Sequence, residues 1–317
     1  MKIVILDGYV ANPGDLSWQE LAGIGDLTVY DRTAPDDVIE RCRGAAVVFT
    51  NKVVLDSAVI GALPDLKFIG VLATGYNNVD IAAACQRGIT VCNVPAYSTE
   101  SVAQLVFALL LELTNRVGDY DRAVAAGGWQ TCHDFSFTLG PIYELSGRTI
   151  GIYGLGNIGR RVACIANAFG MRVISPTSKA ADAIPDYVTK VTFDEMLELA
   201  DVISVNAPLD ADNRGLFGRE TLSRMRQGAL LINTARGPLV DEQALADALR
   251  SGRLGGAAVD VLCEEPPRQG SPLIGCPRCL ITPHIAWQSV EARRRLIDIT
   301  TANLQCWLAG RPQNVVR

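Results

Sequence analysis

The sequence contains no apolar run that approaches the roughly 20 residues that a membrane-spanning helix requires. Its first apolar stretch, Ile3–Leu6, is too short for the core of a signal peptide, and no small-residue cleavage pattern follows it. These absences argue against a membrane-anchored and against an exported protein. We therefore expect a cytoplasmic protein without a membrane partner.

An excess of charge of either sign is also missing. Charged residues make up 20% of the 317 residues and the formal net charge is -5, whereas proteins that bind nucleic acids or anionic membranes usually carry basic surfaces. Hydrophobic residues, at 49%, are numerous enough to build a core, which excludes a disordered chain. The acidic balance of charge means that nucleic acid is not an expected partner. The length of the chain is typical of two domains.

Histidine is scarce, since the chain has only two, His133 and His284. Histidine is the commonest proton-transfer group near neutral pH, so these two positions narrow the search for a general acid or base. His284 follows a short apolar run and a proline, in the position where a strand of an α/β sheet would end. His133 lies in a segment rich in glycine and aromatic residues.

The nine cysteines do not have the spacing of a metal site. One C-x-x-C motif is present, with Cys276 and Cys279 as its cysteines, but a zinc site would require a second pair or several nearby histidines. With no secretion signal, reduced thiols are the expectation. We expect no metal, and we interpret the motif as a loop with two incidental thiols.

Short β-rich runs alternate with helix-like segments along most of the chain. The predicted strands are Ile3–Leu6, Ala45–Phe49, Phe68–Leu72, Thr90–Cys92, Thr149–Tyr153, Arg172–Ser175, Val202–Asn206, Ala229–Asn233 and Ala257–Val261. Helical segments are predicted between the early strands, and long helices at Thr99–Leu113 and Val290–Leu308. Strands separated by helices are typical of βαβ units, so the sequence predicts an α/β protein with two doubly wound parallel sheets.

A glycine-rich turn follows the strand Thr149–Tyr153. It reads Gly154-Leu155-Gly156-Asn157-Ile158-Gly159, and a helical pattern and a second strand come next. In a dinucleotide-binding turn the first glycine makes the bend, the second admits a pyrophosphate and the third packs helix on strand. The helix N-terminus adds free N–H groups for the phosphates. The alternative is a glycine-rich βα turn without a ligand, but the strand–turn–helix–strand context favours a nicotinamide dinucleotide.

The strand after this turn ends without an acidic residue. Enzymes that use NAD usually have Asp or Glu there to bind the ribose diol, but this chain continues Ser175-Pro176-Thr177-Ser178-Lys179. Hydroxyls at Thr177 and Ser178 and the cation of Lys179 suit a 2′-phosphate better than a diol. We therefore expect NADPH to be favoured, with NAD as a possible cofactor. The alternative is that Lys179 is only a solvated loop residue.

Polar clusters end three apolar segments in the second half of the chain. One contains Arg236 after Ala229–Asn233, the next runs from Asp260 to Glu265, and the third contains His284. An arginine at a strand end can bind a carboxylate with two hydrogen bonds, and a glutamate near a histidine can fix its tautomer. Three such clusters on successive strands indicate a shared acid–base site.

These motifs, in this order and spacing, resemble those of the D-isomer-specific 2-hydroxyacid dehydrogenase family over essentially the whole chain. They are the glycine turn, Asn233-Thr234-Ala235-Arg236-Gly237, Asp260-Val261 with Glu265-Pro266, and Pro283-His284. The start of the chain, with Leu6-Asp7-Gly8, and the segments Asp134–Phe137 and His284–Trp287 resemble the glycerate dehydrogenase (hydroxypyruvate reductase) branch. The chain departs from the family at Thr177, where Asp is usual, and at Asn206, where His is common.

The resemblance implies roles for particular residues. His284 would protonate the substrate carbonyl, Glu265 would pair with His284, and Arg236 would bind the substrate carboxylate. Substrate contacts are implied for Thr74, Gly75 and Tyr76 together with Arg236 and His284. Cofactor contacts are implied or expected for Gly154, Gly156, Asn157, Ile158, Gly159, Thr177, Ser178, Lys179, Pro208, Thr234, Ala235, Arg236 and Asp260.

The resemblance also implies a domain arrangement and a partner. A flavodoxin-like substrate domain, residues 1–98 and 288–317, would be interrupted by a Rossmann cofactor domain, residues 99–287. The segment after the helix Thr99–Leu113 would form a homodimer arm, because Trp129, Phe135 and Phe137 would otherwise be exposed to water.

The expected reaction is hydride transfer between NAD(P)H and a small 2-oxo acid or D-2-hydroxy acid, such as hydroxypyruvate or glyoxylate. Two alternatives stay open at this point. One is a dehydrogenase that acts on a phosphonate-bearing substrate. The other is a cofactor-sensing scaffold of the corepressor type, in which the site binds a nucleotide without turnover.

Overall fold

The computed structural model describes residues 1–316, and the chain divides into two compact units. The first unit consists of Met1–Ser98 together with the segment from Trp287 to the C-terminus, and the second is Thr99–Ala286. The sequence analysis placed Trp287 at the end of the Rossmann cofactor domain, residues 99–287. In the structure this indole is buried in the core of the first unit with Ala292 and Leu296, so the boundary lies one residue earlier than expected.

Both units are parallel-sheet α/β structures, which confirms the predicted fold class. The strands are β1 (Lys2–Ile5), β2 (Asp26–Val29), β3 (Val47–Thr50), β4 (Phe68–Val71), β5 (Thr90–Cys92), β6 (Thr149–Tyr153), β7 (Arg172–Ser175), β8 (Val188–Lys190), β9 (Val202–Val205), β10 (Leu230–Asn233), β11 (Gly256–Val259) and β12 (Cys279–Ile281).

The helices surround the two sheets. They are α1 (Gln19–Ala22), α2 (Val38–Cys42), α3 (Ser57–Gly61), α4 (Ile81–Gln86), α5 (Thr99–Asn115), α6 (Val117–Ala125), α7 (Asn157–Ala168), α8 (Phe193–Leu199), α9 (Arg219–Arg224), α10 (Glu242–Arg250) and α11 (Val290–Leu308). Within residues 1–316, no helix is both long and apolar enough to cross a membrane.

The first unit has a five-stranded sheet in the order β2-β1-β3-β4-β5, which is the flavodoxin-like order. Strands β3 and β4 are fully buried, as expected for parallel strands covered by helices on both faces. Strand β2 was not predicted. It is an edge strand with both terminal residues exposed, so it lacks the continuous apolar run that identifies the inner strands.

The second unit has a seven-stranded sheet in the order β12-β11-β10-β9-β6-β7-β8. Counted from β6, this is the Rossmann order with one added strand, and the strand order reverses between β6 and β9. Helices α5 and α7 cover one face, where Val106, Leu110 and Val162 are buried, and α8 to α10 cover the other. The crevice at the carboxyl ends of β6 and β9 is where such sheets bind ligands.

Side-chain caps explain where several helices begin. Asp56, Asp80, Thr192, Asp241 and Ser289 each precede a helix and accept a hydrogen bond from a backbone N–H of its first turn. Such a cap contributes about 1 kcal/mol of stability. Because Asp56 and Asp80 are caps, α3 and α4 begin one residue after them, at Ser57 and Ile81.

Candidate active site

The predicted site residues of the second unit follow one edge of its sheet. The registers Tyr153↔Val205, Val205↔Asn233, Asn233↔Val259 and Val259↔Ile281 align the last residues of five neighbouring strands. The next residues along the chain therefore form a row across the carboxyl edge. That row is Gly154, Asn206, Thr234, Asp260 and Thr282.

The glycine turn has the geometry that a bound pyrophosphate requires. Gly154 has a φ of +94°, and a Cβ there would overlap the backbone of Ala207. A Cβ on Gly159 would overlap the Gly154 carbonyl. Gly156 differs, because its φ is -84° and a Cβ would have no atom within 4 Å. Nothing in this chain requires glycine at position 156, which is consistent with a ligand that approaches it.

Unsatisfied polar groups line the same edge. Gly156 caps the 12-residue helix α7 without any side-chain cap, so the first N–H groups of α7 remain available for phosphate oxygens. The Thr234 hydroxyl and the Asn206 Oδ1 atom are buried without a hydrogen-bond partner in the described part of the chain. Buried polar atoms without partners are costly. The turn and these orphaned atoms together fit a dinucleotide cofactor.

The loop after β7 contains the predicted ribose-side residues. Thr177 is half-buried and its Oγ accepts the Lys179 backbone N–H at 3.3 Å, while Ser178 and Lys179 are exposed. A second cation lies beside them, because Lys190 at the end of β8 donates from Nζ to the Lys179 carbonyl at 2.9 Å. Neither lysine has a carboxylate ion-pair partner within residues 1–316. The loop therefore presents hydroxyls and two unneutralised cations.

His284 and Glu265 meet although 19 residues separate them along the chain. The His284 Nδ1 and Glu265 Oε2 atoms are 2.6 Å apart, and Oε1 of Glu265 accepts the Leu262 backbone N–H at 2.9 Å. Both side chains are about two-thirds buried, with 28% and 35% exposure. With Glu265 ionised, Nδ1 carries a proton and the carboxylate stabilises a positive imidazole. Nε2 is then the atom free to exchange a proton with a substrate.

Asp260 organises the turn that carries His284. Its backbone carbonyl accepts the His284 N–H at 2.8 Å, and its carboxylate accepts the Ile285 and Ala286 N–H groups, each at 2.9 Å. The Thr282 hydroxyl donates to the same carboxylate at 2.6 Å. Burial raises the pKa of the Asp260 carboxyl, while these donors oppose the rise. The carboxylate is 1% exposed and is held by protein donors on both oxygens.

Arg236 lies at the neighbouring strand end with its guanidinium exposed. Its only side-chain hydrogen bond in the described residues is to the adjacent Ala235 carbonyl, at 2.7 Å. Asn233 shapes the turn, since its side chain bonds the Ala235 N–H and the Arg236 carbonyl. Gly237 lets this loop pack directly against the backbone of Leu262, where any Cβ would overlap. The Arg236 guanidinium therefore has no ion-pair partner in the described residues, and its loop packs against the loop that leads to Glu265. Such a guanidinium is suited to bind a carboxylate.

The remaining predicted substrate residues belong to the first unit. Thr74, Gly75 and Tyr76 follow β4, and the Thr74 hydroxyl donates to the Val94 carbonyl at 2.9 Å. At the same carboxyl edge, the Asp7 carboxylate accepts three backbone N–H groups from Asn51, Lys52 and Val53. These contacts fix the loops after β3 and β4.

His133 lies outside this constellation, whereas Cys279 lines a cavity together with Asp260, Glu265 and His284. His133 is exposed in the segment after α6, and no hydrogen bond to it is found within residues 1–316. Burial raises the pKa of the Cys279 thiol to about 12, so the thiolate needed for metal or redox chemistry is scarce at neutral pH. The described residues contain no group of three side chains able to hold a metal ion.

Two residues near the site were missed by the sequence analysis. They are Thr282 and Lys190, neither of which was singled out. Both stand at or directly after strand ends on the carboxyl edge, so the signal that identified Arg236 and Asp260 also applied to them. Lys190 was not identified because its strand β8 is short and mostly exposed, so that it has no clear apolar pattern.

Comparisons with known proteins cover both units. Residues 107–286 match the family described as D-isomer specific 2-hydroxyacid dehydrogenase, NAD binding domain. A hydroxypyruvate reductase of Blautia hydrogenotrophica is 43% identical over 320 residues, which is 100% of this chain and 99% of that protein. A glycerate dehydrogenase of Methylorubrum extorquens is 40% identical over 318 residues, which is 99% of this chain and 98% of that protein. A solved acyclic imino acid reductase in complex with NADPH and D-Arg aligns with a TM-score of 0.87 at 31% identity, covering 100% of both chains.

Proposed function

The chain belongs to the D-isomer specific 2-hydroxyacid dehydrogenase family, and we propose from this that it transfers a hydride between NAD(P)H and a small 2-oxo acid. Hydroxypyruvate and glyoxylate are the proposed substrates, in line with the names of its relatives. The observation that carries the proposal is the 2.6 Å contact of His284 with Glu265 on the same sheet edge as the glycine turn. A nucleotide-binding scaffold would not need this pair.

Each residue of the edge has a proposed task in reduction. The bound cofactor supplies the hydride. Arg236 binds the carboxylate of the 2-oxo acid and polarises its carbonyl. Thr74, Gly75 and Tyr76 are the substrate contacts that we propose for the first unit. His284 donates the Nε2 proton to the carbonyl oxygen, and Glu265 stabilises the protonated imidazole before the transfer. Oxidation of the D-2-hydroxy acid uses the same groups in reverse.

A panel of small 2-oxo acids tests the proposal. Hydroxypyruvate, glyoxylate, pyruvate and a phosphonate-bearing 2-oxo acid are each mixed with the protein and NADPH or NADH, and cofactor absorbance is followed. We expect turnover of hydroxypyruvate or glyoxylate. If the protein binds the cofactor tightly but oxidises it with none of the acids, the result would support the cofactor-sensing scaffold. Turnover of the phosphonate-bearing acid alone would support a dehydrogenase for phosphonate-bearing substrates.

We further propose that NADPH is preferred to NADH. The loop Thr177–Lys179 has no carboxylate to bind a ribose diol, and the cations of Lys179 and Lys190 face no neutralising acid in the described residues. A charge-assisted hydrogen bond contributes about 1.5–3 kcal/mol, which corresponds to roughly a ten- to hundredfold preference. The NADPH in the aligned imino acid reductase is consistent with a 2′-phosphate on this fold.

Two substitutions test the cause of this preference. Thr177→Asp is expected to shift kcat/KM toward NADH, because a carboxylate repels the 2′-phosphate and accepts bonds from the diol. Lys179→Ala should weaken NADPH use and hardly change NADH use. Lys67→Ala, an exposed lysine of the first unit, is the control and should change neither. A wild-type preference for NADH would contradict the proposal.

The working form is proposed to be a homodimer. Several large apolar side chains of the segment 117–143 are exposed, with Phe135 at 91%, Val117 at 64%, Ile142 at 60% and Trp129 at 53%. Helix α6 in this segment buries no residue. Phe137, which was expected to be exposed, is partly buried against the Tyr120 ring at 6.0 Å. An apolar surface of this kind is typical of a protein interface.

Light scattering tests the dimer. We expect the mass of two chains at micromolar concentration for the wild type and a shift toward one chain for the double variant Phe135→Ser, Ile142→Ser. Leu199→Ser is the control, because Leu199 is 51% exposed on another part of the second unit. A wild type with the mass of one chain, or a double variant as dimeric as the control, would refute the proposed arm.

A further inference from the structure

We propose that Thr282 is a positioning residue for the acid–base histidine, which it controls through the buried carboxylate of Asp260. The hydroxyl of Thr282 holds that carboxylate in place. The carboxylate then holds the backbone of residues 284–286 in the conformation that directs His284 at Glu265. The inference rests on the proposed function, because it assumes that His284 transfers the proton. It adds a residue to that function that neither the motifs nor the relatives assigned.

The first observation is the backbone conformation of His284. Its φ is +55°, in the left-handed region that residues with a Cβ seldom adopt. Such a conformation is unfavourable and persists only when its surroundings enforce it. The side-chain direction of His284 follows from this conformation. A backbone that relaxed to negative φ would therefore turn the imidazole away from Glu265.

The second observation is that Asp260 accepts hydrogen bonds from three residues of the turn, although the His284 N–H is shared with the Thr282 carbonyl at 3.0 Å. Three consecutive backbone N–H groups, those of His284, Ile285 and Ala286, all donate to Asp260, at 2.8, 2.9 and 2.9 Å. The first binds the carbonyl of Asp260 and the other two bind separate carboxylate oxygens. Successive N–H groups that converge on an anion form a concave anion site. The Ile285 and Ala286 part of the turn is therefore held only while the carboxylate keeps its charge and its orientation.

The third observation identifies what keeps the carboxylate in place. Asp260 is 1% exposed, and a buried carboxylate needs hydrogen bonds to remain charged. The Thr282 hydroxyl is the side-chain donor to it, at 2.6 Å to Oδ1, the oxygen that also receives the Ile285 N–H. The backbone N–H of Thr282 donates to Val259 across the strand pair, so the hydroxyl starts from a rigid position.

The expected effect follows from losing this donor. A valine at 282 keeps the volume but leaves Oδ1 with one donor fewer, so the carboxylate can rotate or take up a proton. Either change weakens the hydrogen bonds to the turn, since a rotated or neutral carboxyl group accepts the Ile285 and Ala286 N–H groups less well. The imidazole then loses its fixed direction. The backbone carbonyl of Thr282 accepts the His284 N–H at 3.0 Å, and a valine at 282 keeps this contact, so the effect of the substitution passes through the lost hydroxyl and Asp260.

The experiment compares Thr282→Val, Thr282→Ser and a control, Thr114→Val. Thr114 is also a buried threonine of the second unit, but its hydroxyl bonds the Leu110 carbonyl inside α5. Misplacing a catalytic group by about 1 Å costs up to about a hundredfold in rate, so Thr282→Val should lower kcat about 10- to 100-fold. Thr282→Ser should restore most of kcat because the hydroxyl donor returns.

A second readout does not depend on turnover. The chain has only two histidines, so spectra of protein labelled with ¹⁵N-histidine contain two imidazoles, and His133→Gln assigns them. The Nδ1–H signal of His284 should show its bond to Glu265 in wild type, Thr282→Ser and Thr114→Val, and lose it in Thr282→Val. If Thr282→Val does not fold, Thr282→Cys, a weaker donor, takes its place in both measurements.

The outcomes separate the two proposals. Wild-type kcat and a wild-type His284 signal in the folded valine or cysteine variant would overturn the positioning role. A serine variant as impaired as the valine variant would overturn it too, because the hydroxyl would then not be what matters. A wild type that reduces no 2-oxo acid, with the spectral change still present in Thr282→Val, would refute the proposed function and leave the positioning of His284 by Thr282 intact.

Discussion

His284→Ala is expected to lower kcat by about 10²–10⁴-fold, the usual contribution of a general acid. The alanine removes the Nε2 proton donor and leaves the Glu265 carboxylate without its partner at 2.6 Å. The residues that fit the cofactor's pyrophosphate lie at the other end of the carboxyl row, at Gly154 and Gly156, so the cofactor Kd should hardly change. Steady-state kinetics with hydroxypyruvate or glyoxylate and a fluorescence titration with NADPH measure the two quantities.

His133→Ala is the matched control for this experiment. It removes the chain's other imidazole from an exposed position after α6, without a hydrogen bond in the described residues, and should leave the chemical step unaffected. The kcat of Glu265→Gln should lie between those of His284→Ala and His133→Ala, because glutamine can orient the His284 ring but cannot stabilise its positive charge. An unchanged rate in His284→Ala would remove the central assignment of the site.

Gly156→Ala is expected to abolish tight cofactor binding while leaving the fold intact. Position 156 has a φ of -84°, which alanine adopts freely, and a Cβ there would have no neighbour within 4 Å. Since no atom of residues 1–316 would contact the methyl group, we expect it to clash with a pyrophosphate that approaches the turn. We expect the Kd for NADPH to rise by at least about a hundredfold, since a steric clash of 3 kcal/mol already has that effect. Losing glycine as the cap of α7 should lower the Tm by about 2–4 °C at most.

Two other glycines control for this prediction. A Cβ on Gly159 would overlap the Gly154 carbonyl, so Gly159→Ala should reduce both binding and thermal stability. Gly61, at the end of α3, has open space around it, and Gly61→Ala should change neither. NADPH affinity that is equal in Gly156→Ala and the wild type would mean that the turn serves only the packing of α7 on β6.

Much of the fold was predictable because its signals are local. The helix α11 was predicted at its observed limits, Val290–Leu308, and β6 and β7 likewise match, since each is marked by an apolar period and by breaking residues at its ends. The glycine turn was predictable for the same reason, because spacing within six residues defines it. The edge strands β2 and β8 were not predicted, since exposed and brief strands carry weak patterns.

The sequence by itself determined which chemical groups were available: two histidines, a strand end without an acid after β7, and polar clusters after β10, β11 and β12. Only the tertiary structure decided which of them meet. The pairing of His284 with Glu265, the three N–H groups that converge on Asp260, and the approach of Lys190 to Lys179 all join segments 11 to 26 residues apart. The physical reason is that hydrophobic periodicity specifies where each strand lies along the chain, whereas lateral strand order and register, which align the strand ends in one row, arise from packing across the whole sheet.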